Sequence, residues 1–223
     1  MTPFDLRSTK VTPVLNRQPV PLYERGGKRV FDVILALLLL PVLIPIIALL
    51  VIAVCVDGGS GFYGHARIGK EGRRFHCWKI RTMGRNADQV LTDHLRASPA
   101  AAEEWARTHK LTDDPRVTRL GRFLRRSSLD ELPQIWNVLR GEMSFVGPRP
   151  VTLAELPRYG SAVTSYLNLR PGITGQWQIH GRSDGCYEER CRMDADYAAQ
   201  VRWLRDLALI LATVKVLVQP TGR

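Results

Sequence analysis

From Val33 to Val56 the chain runs for 24 residues without a charged or strongly polar side chain, VILALLLLPVLIPIIALLVIAVCV. A straight helix of that length is about 36 Å long, enough to cross a hydrocarbon core of about 30 Å. The run lies too far from the start, is too long for an h-region and lacks a small-x-small cleavage site, which excludes a secretory signal peptide. Pro41 and Pro45 interrupt its middle, where each removes a backbone donor and crowds the preceding turn. One reading is a single spanning helix. The other is a helix that breaks at the prolines and returns to the face it entered.

Beyond the run the pattern changes period. Two alternating stretches, 62–68 and 74–80, flank Gly69-Lys-Glu-Gly72 and predict a β-hairpin. Residues 86–110 read as helix, broken at Ser98-Pro99, and residues 131–140 read as helix again. Arg116, Arg119, Arg122 and Arg125 recur every third residue among Leu120, Phe123 and Leu124, a helix with one basic stripe. Residues 147–150 (Gly-Pro-Arg-Pro) and 170–175 (Arg-Pro-Gly-Ile-Thr-Gly) read as turn-rich loops. From about 187 to 218 a long helical pattern places Leu204, Leu207, Leu211, Val214 and Val218 on one face, suited to a core groove, a partner or a membrane surface. The expected fold is α+β and mainly helical, with a re-entrant membrane helix-break-helix, amphipathic interfacial helices and a small β-hairpin. The expected division is a flexible basic arm at 1–27, the membrane segment at 28–57 and a cytosolic catalytic domain at 58–223.

Charge decides between the two membrane readings. The chain of 223 residues carries 32 Lys and Arg against 21 Asp and Glu, a net charge of +11. Six basic residues precede the apolar run and six more (67, 70, 73, 74, 79, 81) follow it by residue 81. The positive-inside rule places both flanks in the cytoplasm, which favours the re-entrant form. Lys28, Arg29 and Asp32 would then lie at the interface, where long basic side chains reach headgroup phosphates. A hydrophobic content of 45% excludes a disordered chain. The four cysteines (55, 77, 186, 191) form no CxxC pair, which leaves a disulfide scaffold or a structural zinc site without support.

The densest chemistry lies in Arg125-Arg-Ser-Ser-Leu-Asp-Glu-Leu-Pro133. Ser128 and Glu131 have capping-box spacing, so a plain helix start explains them as well as a catalytic pair does. Pro133 fits more easily if Asp130 is the cap. In either case both carboxylates sit at a positive helix end beside two arginines, a setting expected to keep Asp130 ionised. The arginine stripe suits either a solvated or lipid-facing surface or the bidentate grip of phosphate. Arg149, held between Pro148 and Pro150, is presented on a stiff backbone, and Arg170 and Arg182 also lie in Gly/Pro loops. The five histidines make no HExxH, and neither a Walker motif nor GxGxxG is present.

An ordered set of motifs resembles the bacterial sugar transferases, the monotopic phosphoglycosyl transferases that begin glycan assembly. The set comprises Lys28-Arg29-x-x-Asp32, the run with Pro45, Lys79-x-Arg81-Thr-Met83, Ser128-Leu-Asp-Glu-Leu-Pro-Gln134, Gly141 through Pro150, and Pro171-Gly-Ile-Thr-Gly175. The likeness spans about residues 28–218, and Glu155-x-x-x-Tyr159-Gly, Gly175-Gln-Trp177-Gln and Gly181-Arg-Ser-Asp184 look closest to the hexose-1-phosphate branch. Many members of that branch carry a further N-terminal membrane domain, and this chain is expected to be close to the minimal catalytic unit. The chain departs from the common pattern at Ile44, where serine often precedes the proline, at Pro41, which is additional, and at His65, where glutamine is common.

The resemblance implies transfer of a hexose-1-phosphate from a UDP-sugar to undecaprenyl phosphate, with release of UMP, at the cytoplasmic side of the bacterial inner membrane. Asp130 would be the nucleophile and a Mg²⁺ ligand, with Glu131 assisting. Arg125, Arg149 and Arg182 match phosphate- and nucleotide-contacting positions. Lys79, Arg81, Pro148 and Pro150 lie in the matched motifs, and Pro45 matches the helix-breaking proline. Two rivals compete with this reading. A membrane-tethered nucleic-acid module would need aromatics interleaved with the arginines, and the stripe holds only Phe123, so nucleic acid is not an expected partner. A catalytically inactive scaffold of polysaccharide assembly is the other, and retention of Asp130-Glu131 speaks against it. The amphipathic C-terminal helix is also compatible with a homodimer.

Overall fold

The computed structural model describes residues 22–57, 60–108, 111–180 and 186–218. Arg182 and most of the expected N-terminal arm lie outside the described residues. A π-helical turn (Tyr23–Gly27) leads into α1 (Lys28–Val56), followed by β1 (Phe62–Ile68), β2 (Arg74–Ile80), α2 (Ala87–Ala97), α3 (Pro99–Thr108) and α4 (Arg119–Arg126). A 3-10 turn (Leu129–Glu131) precedes α5 (Gln134–Arg140) and β3 (Ser144–Val146). A second 3-10 segment (Leu156–Ala162), α6 (Val163–Leu167), β4 (Gly172–Thr174), α7 (Gln176–His180), α8 (Tyr187–Ala199) and α9 (Trp203–Val218) complete the order. The described residues form two compact units. One takes the chain up to Pro41, Gly64–Trp78 and the part from Gln134 onward; the other takes Val42–Tyr63 and Lys79–Pro133.

The hairpin forms where the alternation places it, as an antiparallel pair. Its turn closes through Gly69 N–H donating to Arg73 O at 2.7 Å, and Glu71 and Gly72 take left-handed φ of 58° and 74°. The expected break at Ser98-Pro99 also stands, between α2 and α3. Three expectations are corrected. Helix α1 is continuous through Pro41 and Pro45 rather than broken there, since a helix can bend and carry on past the carbonyls a proline frees. The basic helix begins at Arg119, because Thr118 caps it by accepting from Gly121 N–H at 2.9 Å, which leaves Arg116 outside. The long C-terminal pattern is two helices, parted at Gln200–Arg202, where Val201 is buried.

In the first unit the short strands β3 and β4 pair in parallel, Ser144 opposite Gly172 and Val146 opposite Thr174. A Cβ at Gly172 would lie 2.1 Å from Gly147 N, so this approach requires glycine. Around the pair lie one cluster of Val146, Tyr197, Val201 and Leu209 and another of Ile68, Val151, Leu156, Tyr159, Tyr166 and Cys191. The second unit is centred on Val54, Ile80 and Leu124.

The first turns of α1 are tied into the first unit. Asp206 is fully buried and its carboxylate accepts from Lys28 Nζ, from Tyr23 Oη at 2.6 Å and from Tyr197 Oη at 2.6 Å. Helix α5 ends in a Schellman motif. Gly141, at φ 77°, donates to Val138 O at 3.0 Å, and Glu142 N–H donates to Asn137 O at 2.9 Å. The Arg29 guanidinium then donates to Val138 O, which also accepts from Gly141 N–H, and to Leu139 O. Asp32, 1% exposed, accepts from Ser144 Oγ and Phe145 N–H, both at 3.0 Å. These three residues were expected to face the membrane interface. Instead they point into the protein, where Lys28 and Arg29 meet a buried carboxylate and helix-end carbonyls and Asp32 meets two donors.

Candidate active site

The carboxylate pair belongs to the second unit, and packing there explains how it is displayed. Helix α4 lies so close to the loop that follows β2 that a Cβ on Gly121 would sit 2.0 Å from Thr82 O. With Leu124 buried against Ile80, this contact brings Arg125 Nε to 2.8 Å from Thr82 Oγ1. The chain then leaves the helix through Ser128 in a left-handed conformation (φ 56°), rare for a residue with a Cβ. The following 3-10 turn presents Asp130 and Glu131, closed by Glu131 N–H donating to Ser128 O at 3.2 Å. Ser128 makes no side-chain cap, and the helix proper starts only at Gln134, after Pro133. Neither cap assignment from the sequence is the one the chain adopts.

Asp130 is 7% exposed. Lys79 Nζ lies 2.6 Å from Glu131 Oε1 and 3.9 Å from Asp130 Oδ2. Burial raises the Asp130 carboxyl above its ordinary range. Lys79 and Arg125 pull it back down, while Glu131 adds to the rise. The sequence suggested that neighbouring charge would hold this acid firmly ionised; loss of water outweighs those neighbours. The result is a desolvated carboxylate whose cationic neighbours only partly offset the loss of water.

The other expected residues fall into two groups. In the second unit, Arg81 gives Nε to Met83 O (3.1 Å), Nη2 to Gly84 O (3.1 Å) and Nη1 to Ser60 Oγ (2.8 Å), which fixes the loop after β2. Arg116 is paired with Asp114 through two guanidinium bonds of 2.8 and 2.7 Å. In the first unit, Pro148 is buried and its carbonyl accepts from Gly172 N–H at 2.9 Å, while the Arg149 side chain stays exposed. The Arg149 carbonyl accepts from Arg190 Nη2 at 3.1 Å. Arg190 was not singled out in the sequence. It is 6% exposed, faces Asp194 at 3.9 Å and leaves its buried Nε without a hydrogen-bond partner. Its signal was a run of charges in a helix whose apolar pattern is weak.

Among the described residues no cluster of three or more His, Cys, Asp or Glu could cage a metal. Two adjacent carboxylates suit magnesium, which typically takes one or two such ligands and completes its shell with water and substrate phosphate. The uncompensated burial of Asp130 is the kind of deficit a divalent cation relieves.

The family profile described as bacterial sugar transferase matches residues 23–220. The chain belongs to the bacterial sugar transferases. Among curated relatives of this sugar transferase, it is 47% identical over 199 residues to the UDP-galactose-lipid carrier transferase of Erwinia amylovora, which covers 89% of this chain and 42% of that protein. It is 51% identical over 192 residues to the exopolysaccharide production protein ExoY of Sinorhizobium fredii, covering 85% of both. The undecaprenyl-phosphate galactose phosphotransferase of Salmonella typhimurium is 43% identical over 199 residues, with 89% of this chain and 42% of that protein covered. The chain thus spans less than half the length of two of these relatives.

Proposed function

We propose that this sugar transferase moves a hexose-1-phosphate from a UDP-sugar to undecaprenyl phosphate in the first membrane step of exopolysaccharide or O-antigen synthesis. The single observation that carries the proposal is the buried Asp130 carboxylate, short of compensating charge, beside Glu131, Lys79 and Arg125. The names borne by the relatives supply the substrate class. In the first step Asp130 attacks the sugar-bearing phosphorus, the bridging P–O bond breaks, and UMP leaves with that oxygen. In the second step a phosphate oxygen of undecaprenyl phosphate attacks the same phosphorus, and the Asp130 carboxylate leaves, giving undecaprenyl-diphosphate-sugar. Glu131 positions the acceptor or takes its proton. Lys79 and Arg125 offset the charge of the diphosphate. Asp130 and Glu131 are the residues that would hold Mg²⁺, which when bound supplies charge neutralisation to the diphosphate.

The same reading places α1 in the membrane. It is long and apolar enough to cross one, and Val30, Ile34, Leu37, Leu38, Val42 and Leu49 are exposed along it. With basic residues on both flanks, we place both ends of the helix, and the catalytic part, at the cytoplasmic side of the inner membrane. Incubation with Mg²⁺, undecaprenyl phosphate and a panel of UDP-sugars, reading UMP, tests the chemistry. Wild type should release UMP and Asp130→Asn should not. Release that survives the substitution refutes the nucleophile, and no release with any sugar favours an inactive scaffold.

A further inference from the structure

The first unit contains a cleft of about 340 Å³, formed by the hairpin turn, the end of α5 and the loop before β4. Five cationic residues line it: Lys70, Arg73, Arg74, Arg140 and Arg170. Its two acids are already engaged. Glu71 pairs with Arg73 at 3.2 Å, and Glu142 pairs with Arg140 at 3.3 Å and accepts from Asn137 Nδ2 at 2.6 Å. Among the described residues, Lys70, Arg74 and Arg170 have no carboxylate partner, so the cleft keeps the charge of three cations. A surface charge of that sign, concentrated in a concave site, attracts a phosphate-sized anion.

The location of the cleft identifies the source of that anion. Gly141 forms part of the wall, and a Cβ there would lie 3.5 Å from Arg29 Cζ. Arg29 is in the first turn of α1, just ahead of its apolar run. The hydrocarbon run begins four residues later, so this level is the headgroup layer. Lys28 and Arg29 cannot serve headgroups, because Asp206 and the carbonyls of α5 hold them. We propose that the cleft binds the phosphate of an anionic phospholipid headgroup. The proposal rests on α1 lying in the membrane and makes no use of Asp130 or the transfer reaction.

The test uses the full chain in a neutral detergent, titrated by calorimetry with dioctanoyl phosphatidylglycerol, dioctanoyl phosphatidylcholine and inorganic phosphate. Because these lipids are water-soluble, the measurement does not depend on membrane insertion or on activity. Phosphatidylglycerol should bind and phosphatidylcholine should not. At about 1 kcal/mol for each basic residue near an anionic surface, Lys70→Gln with Arg74→Gln should weaken phosphatidylglycerol binding roughly 30-fold. The single Arg74→Gln, at an exposed strand position, should weaken it about fivefold and serves if the double variant unfolds. Equal binding of both lipids, or unchanged affinity in a folded variant, overturns the proposal. Inorganic phosphate binding as tightly as phosphatidylglycerol assigns the cleft to a free anion and overturns the lipid assignment.

Discussion

Asp194 is 3% exposed, accepts a hydrogen bond of 2.7 Å from Tyr159 Oη and faces Arg190 at 3.9 Å. Burial lifts its pKa from an ordinary 3.8 to about 6, against the opposing pull of Tyr159 and Arg190. The folded chain therefore prefers this acid neutral. The stability gained from the neutral form is complete below pH 3.8 and is lost as pH rises through 6. A displacement of this size costs the folded state about 2 kcal/mol at pH 5 and about 3 kcal/mol at pH 7.5. Asp194→Asn keeps a neutral, hydrogen-bonding side chain that does not titrate. Its stability relative to wild type should thus rise by about 1 kcal/mol between pH 5 and pH 7.5. Urea titrations of both proteins in nonionic detergent, followed by tryptophan fluorescence at the two pH values, measure this difference directly. A stability difference that stays constant across the interval refutes the assigned protonation of Asp194.

Three further outcomes follow from the packing and the site. Gly121→Ala places a methyl group against Thr82 O and should destabilise the protein by about 1–3 kcal/mol, read as a lower Tm; an unchanged Tm refutes the close approach. Asp32→Ala leaves the Ser144 hydroxyl and the Phe145 N–H without their acceptor and should cost about 2–4 kcal/mol, with Asp32→Asn recovering part of it in the same thermal assay. Lys79→Met removes the largest influence lowering the Asp130 pKa. The acid limb of the pH–rate profile for UMP release should move to higher pH, with a loss of at least about tenfold at neutral pH; an unmoved limb separates Lys79 from Asp130.

Local signals were legible and long-range ones were not. The hairpin could be read because alternation and a Gly-x-x-Gly turn are both local, and the break at Ser98-Pro99 because proline acts on the residue beside it. The apolar run was equally plain, yet its continuity through two prolines depends on backbone bonds that composition does not reveal. The parallel pairing of Ser144–Val146 with Gly172–Thr174 joins segments that each read as a turn-rich loop or its border, and strands this short carry no period. Asp130 and Glu131 stood out by their neighbours. The direction of the Asp130 shift depends on its burial in the fold, which the motif alone does not show. Lys28, Arg29 and Asp32 were assigned to the interface because their partners, Asp206, the end of α5 and Ser144, lie more than a hundred residues away.

The carboxylate of Asp206 has a consequence for biosynthesis. Its partner Lys28 is 178 residues earlier in the chain. At about 5–20 residues per second, roughly ten to thirty-five seconds separate the synthesis of the two. Throughout that interval the acid that fixes the first turn of α1 does not yet exist, so this contact closes only late in synthesis. Helix α9, which carries Asp206, thus secures a helix made well before it.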